Sequence, residues 1–105
     1  AVTLAEAAFS GKDGLEIDLC SLPMGDDASQ AAMLFGESPS RLVVEVAPGN
    51  LEKLAYLFEG LPFACLGRVA AEHSNLRIEW GKEILIDEPL DELKAIWKNG
   101  LAQYY

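Results

Sequence analysis

Glu37, Ser38, Ser40 and Arg41 form a small polar island inside the apolar stretch from Leu34 to Val46. Two hydroxyls and the loop's backbone N–H groups can donate to an anion, and a guanidinium can fork onto phosphate. Pro39 stiffens the loop between them. The same residues can also simply build a turn. The serines would then bond backbone groups, and Arg41 would pair with Glu37 or Glu45. The residues alone leave both readings open.

Other reactive groups are sparse. Asp26 and Asp27 could hold Mg²⁺ beside a phosphate, or cap a helix and favour its dipole. His73 is the one histidine. It has no cysteine or second histidine at metal-ligand spacing and reads as an exposed loop residue. Cys20 and Cys65 lie far apart with no CxxC, which suits buried, reduced thiols better than a disulfide. A phosphate-binding GxxxxGK[ST] loop, GxGxxG, GxSxG and a nucleophile with its base are all missing from the sequence. No catalytic residue and no metal site are expected within this chain.

Composition narrows the partners. The chain has 105 residues, half of them apolar, and a formal net charge of −9. At this length roughly 60–70% of the unfolded surface can be buried, enough for one domain without disulfides. The acidic balance repels a phosphate backbone and an anionic bilayer, so neither nucleic acid nor membrane is an expected partner. No apolar run approaches a membrane span, and no targeting segment stands out. A cytoplasmic location follows as the expectation.

The positioning elements come from periodicity. "AVTLAEAAFSG" reads as a helix whose polar residues make one narrow stripe. Ala1 offers it no N-cap, so the chain is expected to begin inside a longer protein. A turn at residues 11–14 leads to a strand through Leu15, Ile17 and Leu19. Asp27 and Gln30 have capping-box spacing before a short helix with Ala28, Ala31, Ala32 and Phe35 on its apolar face. Gly36 stops that helix. A strand is expected from Arg41 to Ala47, with Leu42, Val44 and Val46 on one side. Leu51, Leu54, Ala55 and Phe58 mark a third helix, closed by Gly60. A strand over 64–71 follows. Leu76, Ile78 and Trp80 then alternate toward a Gly81-Lys82 hairpin of type II′, with Ile84 and Ile86 on the return. Pro89 opens a last helix with Leu90, Leu93 and Trp97 inward, and Gly100 ends it. Both tryptophans are expected in the core. The order α-β-α-β-α-β-β-β-α predicts one α+β domain, a mixed β-sheet packed with helices.

The strings "LFGESPSRLVVEVAPGNLEKL", "LGRV" and "LRIEW…LIDEPLDELKAIW" resemble the last domain of the phosphoribosylformylglycinamidine synthase family. That family belongs to the superfamily of aminoimidazole ribonucleotide (AIR) synthetase. The resemblance covers nearly the whole chain, and Phe-Gly-Glu-Ser-Pro-Ser-Arg is its most specific part. It implies the fold of the AIR synthetase-related C-terminal domain. "AVTLAEAAFSG" is similar to the family helix that follows a His-Asp-x-Ser-Asp-Gly-Gly-Leu motif, so the chain is expected to be a fragment.

The resemblance implies an ATP-dependent C–N ligase of purine biosynthesis. Such an enzyme makes formylglycinamidine ribonucleotide from formylglycinamide ribonucleotide, ATP and glutamine. ATP and Mg²⁺ would sit mainly in other domains, with none expected here. Partners would be the remaining synthetase domains and a glutaminase subunit or domain that supplies ammonia; the fragment could also self-associate. Glu37, Ser38, Ser40 and Arg41 would occupy, in the second half of a tandem duplication, the place equivalent to a substrate-binding loop of the first half. Pro39 departs from the Gln of that loop, so the resemblance leaves a substrate loop and a degenerate, structural one both open. A stand-alone, non-catalytic cytosolic binding module of the same fold is the alternative function. An exposed apolar patch, bordered by the helix from Val2 to Phe9, is expected where other domains would pack.

Overall fold

Leu15 and Ile17 alternate with Glu16 and Asp18, so β1 (Gly14–Asp18) sends apolar side chains to one face and acids to the other. The computed structural model describes residues 1–26 and 28–104 and places β1 inside a four-stranded sheet. Antiparallel to β1 on one side runs β2 (Gly67–Ala70), and parallel to it on the other runs β3 (Asn75–Trp80). The hairpin partner of β3, β4 (Glu83–Pro89), forms the far edge, giving the order β2-β1-β3-β4. The sheet is mixed and the fold is α+β, as the sequence pattern predicts.

The core lies on one face. Leu15 stands beside Leu76, and Ile17 beside Ile78, which in turn faces Ile86. Two helices cover this floor. These are α1 (Val2–Ala8), through Leu4 and Ala8 with Phe9 just beyond, and α4 (Leu90–Asn99), through Leu90 and Leu93. Ile78 is fully buried and Leu76 nearly so. Lys94 of α4 donates to the Phe9 carbonyl at 2.7 Å, and Trp97 Nε1 donates to Glu6 at 3.0 Å, so the helices are tied together above the sheet.

Two turns need glycine. Gly81 has φ +63 in the β3–β4 hairpin, and Lys82 is not left-handed, which is the type II′ pattern expected from the sequence. At Gly67 a Cβ would stand 1.8 Å from the Glu16 carbonyl oxygen, so only glycine lets β2 lie this close to β1.

Several expectations are corrected. Arg41–Ala47 forms no strand: it has no regular secondary structure, and Leu42, Val43 and Val44 are 84%, 47% and 57% exposed. Alternation makes a segment suitable for a ladder, but a strand exists only where a partner edge satisfies its backbone. The strand expected over 64–71 is limited to β2. A short α2 (Gln30–Phe35) is capped by Ser29, whose hydroxyl accepts from Ala32 N at 3.2 Å; Asp27, the expected cap, lies outside the described residues. The third helix, α3 (Leu51–Leu57), forms as predicted, but none of its residues is buried. Trp97 leans on Phe9 with ring centroids 5.7 Å apart, yet it is 57% exposed, and Trp80 at the sheet end is also partly exposed. Both thiols are exposed and free, not buried. Exposed apolar residues are frequent at 42–63, and a second group, Ile96, Trp97 and Leu101, borders α1, where Trp97 leans on Phe9 and Val2 is also exposed.

Ile78→Ala should cost about 2–5 kcal/mol of unfolding free energy, the range for emptying a packed core site. Leu57→Ala, at a position 74% exposed, should stay within about 0.5 kcal/mol of the unaltered chain. Urea unfolding of the two variants checks both.

Candidate functional site

The loop that carries the predicted anion contacts follows directly from the end of α2. Gly36 N donates to the Ala32 carbonyl at 2.8 Å and closes the helix. Ser40 has φ 64, a left-handed conformation that costs a non-glycine residue about 1–2 kcal/mol. Glu37, Ser38, Ser40 and Arg41 are all exposed. They are adjacent in sequence, and among the described hydrogen bonds none joins two of their side chains. Arg41 pairs with neither Glu37 nor Glu45; its Nη2 reaches the Pro23 carbonyl at 3.4 Å and Met24 Sδ at 3.2 Å. Both contacts are weak ones for a guanidinium, leaving it able to turn toward an arriving anion.

A second cluster was not anticipated from the sequence. On the open face of the sheet the register places Arg68 beside Glu16, Glu16 beside Arg77, and Arg77 beside Asp87. The signs alternate across all four strands. Glu16 accepts from Arg68 Nη2 at 2.8 Å, and Arg68 also binds Glu72. Arg77 Nε donates to Glu79 at 2.6 Å, and Asn75 Nδ2 donates to Asp87 at 2.9 Å. His73 is not the exposed loop residue expected. It is half-buried, its Nδ1 accepts from Asn75 N, and Nε2 lies 3.1 Å from Glu16. Accepting at Nδ1 assigns the proton to Nε2, so the neutral ring donates to Glu16.

These partners set the carboxylates. Hydrogen bonding from His73, with Arg68 adding charge, holds Glu16 below the usual carboxylate range. The Arg68 hydrogen bond brings Glu72 down to about 2. Asp18 at the end of β1 is also lowered, because Cys20 N and Gly81 N donate to it at 2.9 and 3.2 Å. The Cys20 thiol is raised, chiefly by desolvation. A shallow recess of about 370 Å³ opens beside Glu16, Asp18, Arg68 and Arg77. Both arginines there are already engaged by carboxylates, so the recess offers little free positive charge to an anionic ligand. Among the described residues no group of three His, Cys, Asp or Glu could hold a metal ion.

Charged residues alternating with apolar ones in β1 and β3 were visible in the sequence, but their meaning needed the register. Lowered carboxylate values make stability present above the ordinary value of 4.5 and lost as pH falls toward the folded value near 2. The urea midpoint should therefore be flat above pH 5 and decline between about pH 4.5 and 2. Arg68→Gln should make that decline shallower, and added salt should do the same by screening these exposed pairs.

Comparison with known proteins gives this architecture its relatives. The family model described as AIR synthase related protein, C-terminal domain, matches residues 1–79. The phosphoribosylformylglycinamidine synthase subunit PurL of Thermococcus sibiricus is 35% identical over 99 residues, covering 94% of this chain and 13% of that protein. The Synechocystis subunit PurL is 36% identical over 105 residues, covering 97% of this chain and 13% of the relative. The human phosphoribosylformylglycinamidine synthase is 32% identical over 100 residues, covering 91% of this chain and 7% of that enzyme. The chain thus spans about an eighth or less of the curated relatives it matches. No solved structure matches it. With 79 of its 105 residues matched, the chain belongs to the family of AIR synthase related proteins, C-terminal domain.

Proposed function

We propose that this chain is one domain, the AIR synthase-related C-terminal part of a phosphoribosylformylglycinamidine synthase. The observation that carries this reading is likeness over more than nine-tenths of the chain to proteins of that name from an archaeon, a cyanobacterium and human. The whole protein would make formylglycinamidine ribonucleotide from formylglycinamide ribonucleotide, ATP and glutamine, in the cytoplasm. ATP would activate the formyl amide oxygen, and ammonia from a glutaminase subunit or domain would displace the phosphate. Among the described residues no cluster of three metal-ligating side chains is present. No step through ATP or the metal is assigned to them; that chemistry falls to the remaining synthetase domains.

The part left to this chain is binding and support. Glu37, Ser38, Ser40 and Arg41 are the groups we assign to an anionic portion of the substrate. The reading is supported by their exposure, by the left-handed turn at Ser40 and by the weak tether of Arg41. Ser38 and Ser40 would donate hydroxyl hydrogens and Arg41 would supply the charge. Glu37 faces the same solvent and opposes an anion, which limits affinity. One loop without the rest of a cleft should bind at about the millimolar level.

In the full-length protein, ADP formation should depend on formylglycinamide ribonucleotide and an ammonia source. ATP turnover indifferent to that substrate would refute the ligase reading. The chain alone should hydrolyse no ATP, because it holds no complete phosphoryl-transfer constellation. Titrating the chain with ribose 5-phosphate should shift NMR amides clustered at residues 36–41, and Arg41→Ala should abolish those shifts. Shifts absent there, or spread over the whole domain, would leave the loop as a turn only.

A further inference from the structure

We propose that His73 is a pH-sensitive latch: when its ring takes up a second proton it lets go of the Asn75 amide, stays with Glu16, and frees the first residue of β3. The neutral ring is held at both nitrogens. Nδ1 accepts from Asn75 N at 3.1 Å, and Nε2 lies 3.1 Å from Glu16 Oε1. A neutral imidazole has one nitrogen that accepts and one that donates, so this pair of bonds fits that form alone. The imidazolium donates at both nitrogens. Its Nδ1–H would point at the Asn75 N–H, two donors with no acceptor between them.

The seat is shaped for the ring. A Cβ at Gly14 would stand 2.3 Å from His73 Nδ1 and 2.6 Å from Cε1, so the imidazole fills the space that a side chain would take. The turn that carries the ring is stitched to its surroundings by bonds without a titratable group. Gly14 N donates to the His73 carbonyl at 2.8 Å, and Leu90 N to the Ser74 carbonyl at 2.9 Å. Ser74 Oγ donates to the Lys12 carbonyl at 2.8 Å. These bonds hold the backbone while the ring turns about its own side-chain bonds, so the release stays local to Asn75.

Charge decides where the imidazolium goes. Glu16 on β1 touches it, and Arg68 on β2 binds both Glu16 and Glu72, the residue just before the histidine. Farther across the same face stand Arg77 on β3 and Asp87 on β4, and Asp87 also accepts from Asn75 Nδ2 at 2.9 Å. The turn before β1 contributes the Lys12 carbonyl and α4 the Leu90 amide; among the described contacts neither brings a charge to the ring. Hydrogen bonds from His73 and Arg68 hold Glu16 below the usual carboxylate range, and Glu72 is lowered to about 2, so both are ionised in mildly acid solution. Two carboxylates against one guanidinium leave the site negative, and the new positive charge is drawn to Glu16 instead of out into solvent. The ion pair gained offsets the bond lost at Asn75, so the sheet stays folded as the latch opens.

The test follows Asn75 by NMR in the unaltered chain from about pH 8 to about pH 5, the span in which imidazole side chains change charge. The Asn75 amide shift should move with the His73 ring carbons along one titration curve. Its hydrogen-exchange protection, corrected for the intrinsic pH dependence of exchange, should fall roughly five- to tenfold over that curve, the size of one hydrogen bond. The amides of Gly14, Ile78 and Leu90 should keep theirs. His73→Asn supplies a side-chain oxygen that can accept from the same amide in an Asx turn and does not titrate, so Asn75 protection should there be independent of pH. Protection lost at Asn75 and Ile78 together would mean general unfolding and would overturn the latch. So would an Asn75 amide that ignores the His73 titration, or one whose protection falls equally in His73→Asn. The shift titration needs only the unaltered chain, so it decides the matter even if the variant folds poorly.

Discussion

The parallel pairing of β1 with β3 is the constraint on which the rest of the structure depends. It joins segments about sixty residues apart and sets Leu15 beside Leu76 and Ile17 beside Ile78. That apolar row is the floor on which α1 and α4 rest. The same register puts Glu16 between Arg68 and Arg77 on the opposite face. One alignment therefore produces both a dry face and an ionic one. A slip by a single residue would exchange them and bury the charges. The non-polar face drives folding, while the exposed ion pairs add little energy and chiefly penalise the wrong register.

The elements that build this frame were legible. β1 and β3 alternate strictly, the hairpin has glycine at its first turn position, and α4 follows a proline with apolar residues spaced for one face. Local chemistry decides each of these. The failures are all non-local. Arg41–Ala47 has the pattern of a strand, but pattern cannot supply a partner edge. Residues 51–58 show a clean helical stripe, yet nothing in the described fold covers it. Trp97 has the right phase for the core and sits one turn too far along α4, beyond the sheet that Leu90 and Leu93 cover.

The candidate loop was legible because Glu37, Ser38, Ser40 and Arg41 are contiguous. The partners of Arg41, seventeen and eighteen residues away, were not. His73 and Glu16 are separated by 57 positions and meet only through the β1–β3 alignment. Conformational detail was hidden as well, since serine at the left-handed position of the loop has no sequence signature comparable to glycine. The molecule thus divides into a frame of β1, β3, α1 and α4 and an outlying stretch, residues 35–63, rich in exposed apolar groups.

Native-state hydrogen exchange, residue by residue, tests the division most directly. Amides of β1 and β3 should exchange only through global unfolding, whereas those of α3 should exchange through local opening, faster by roughly two orders of magnitude or more. Equal protection of α3 and β3, lost together on addition of urea, would show that α3 belongs to the core and would contradict the account.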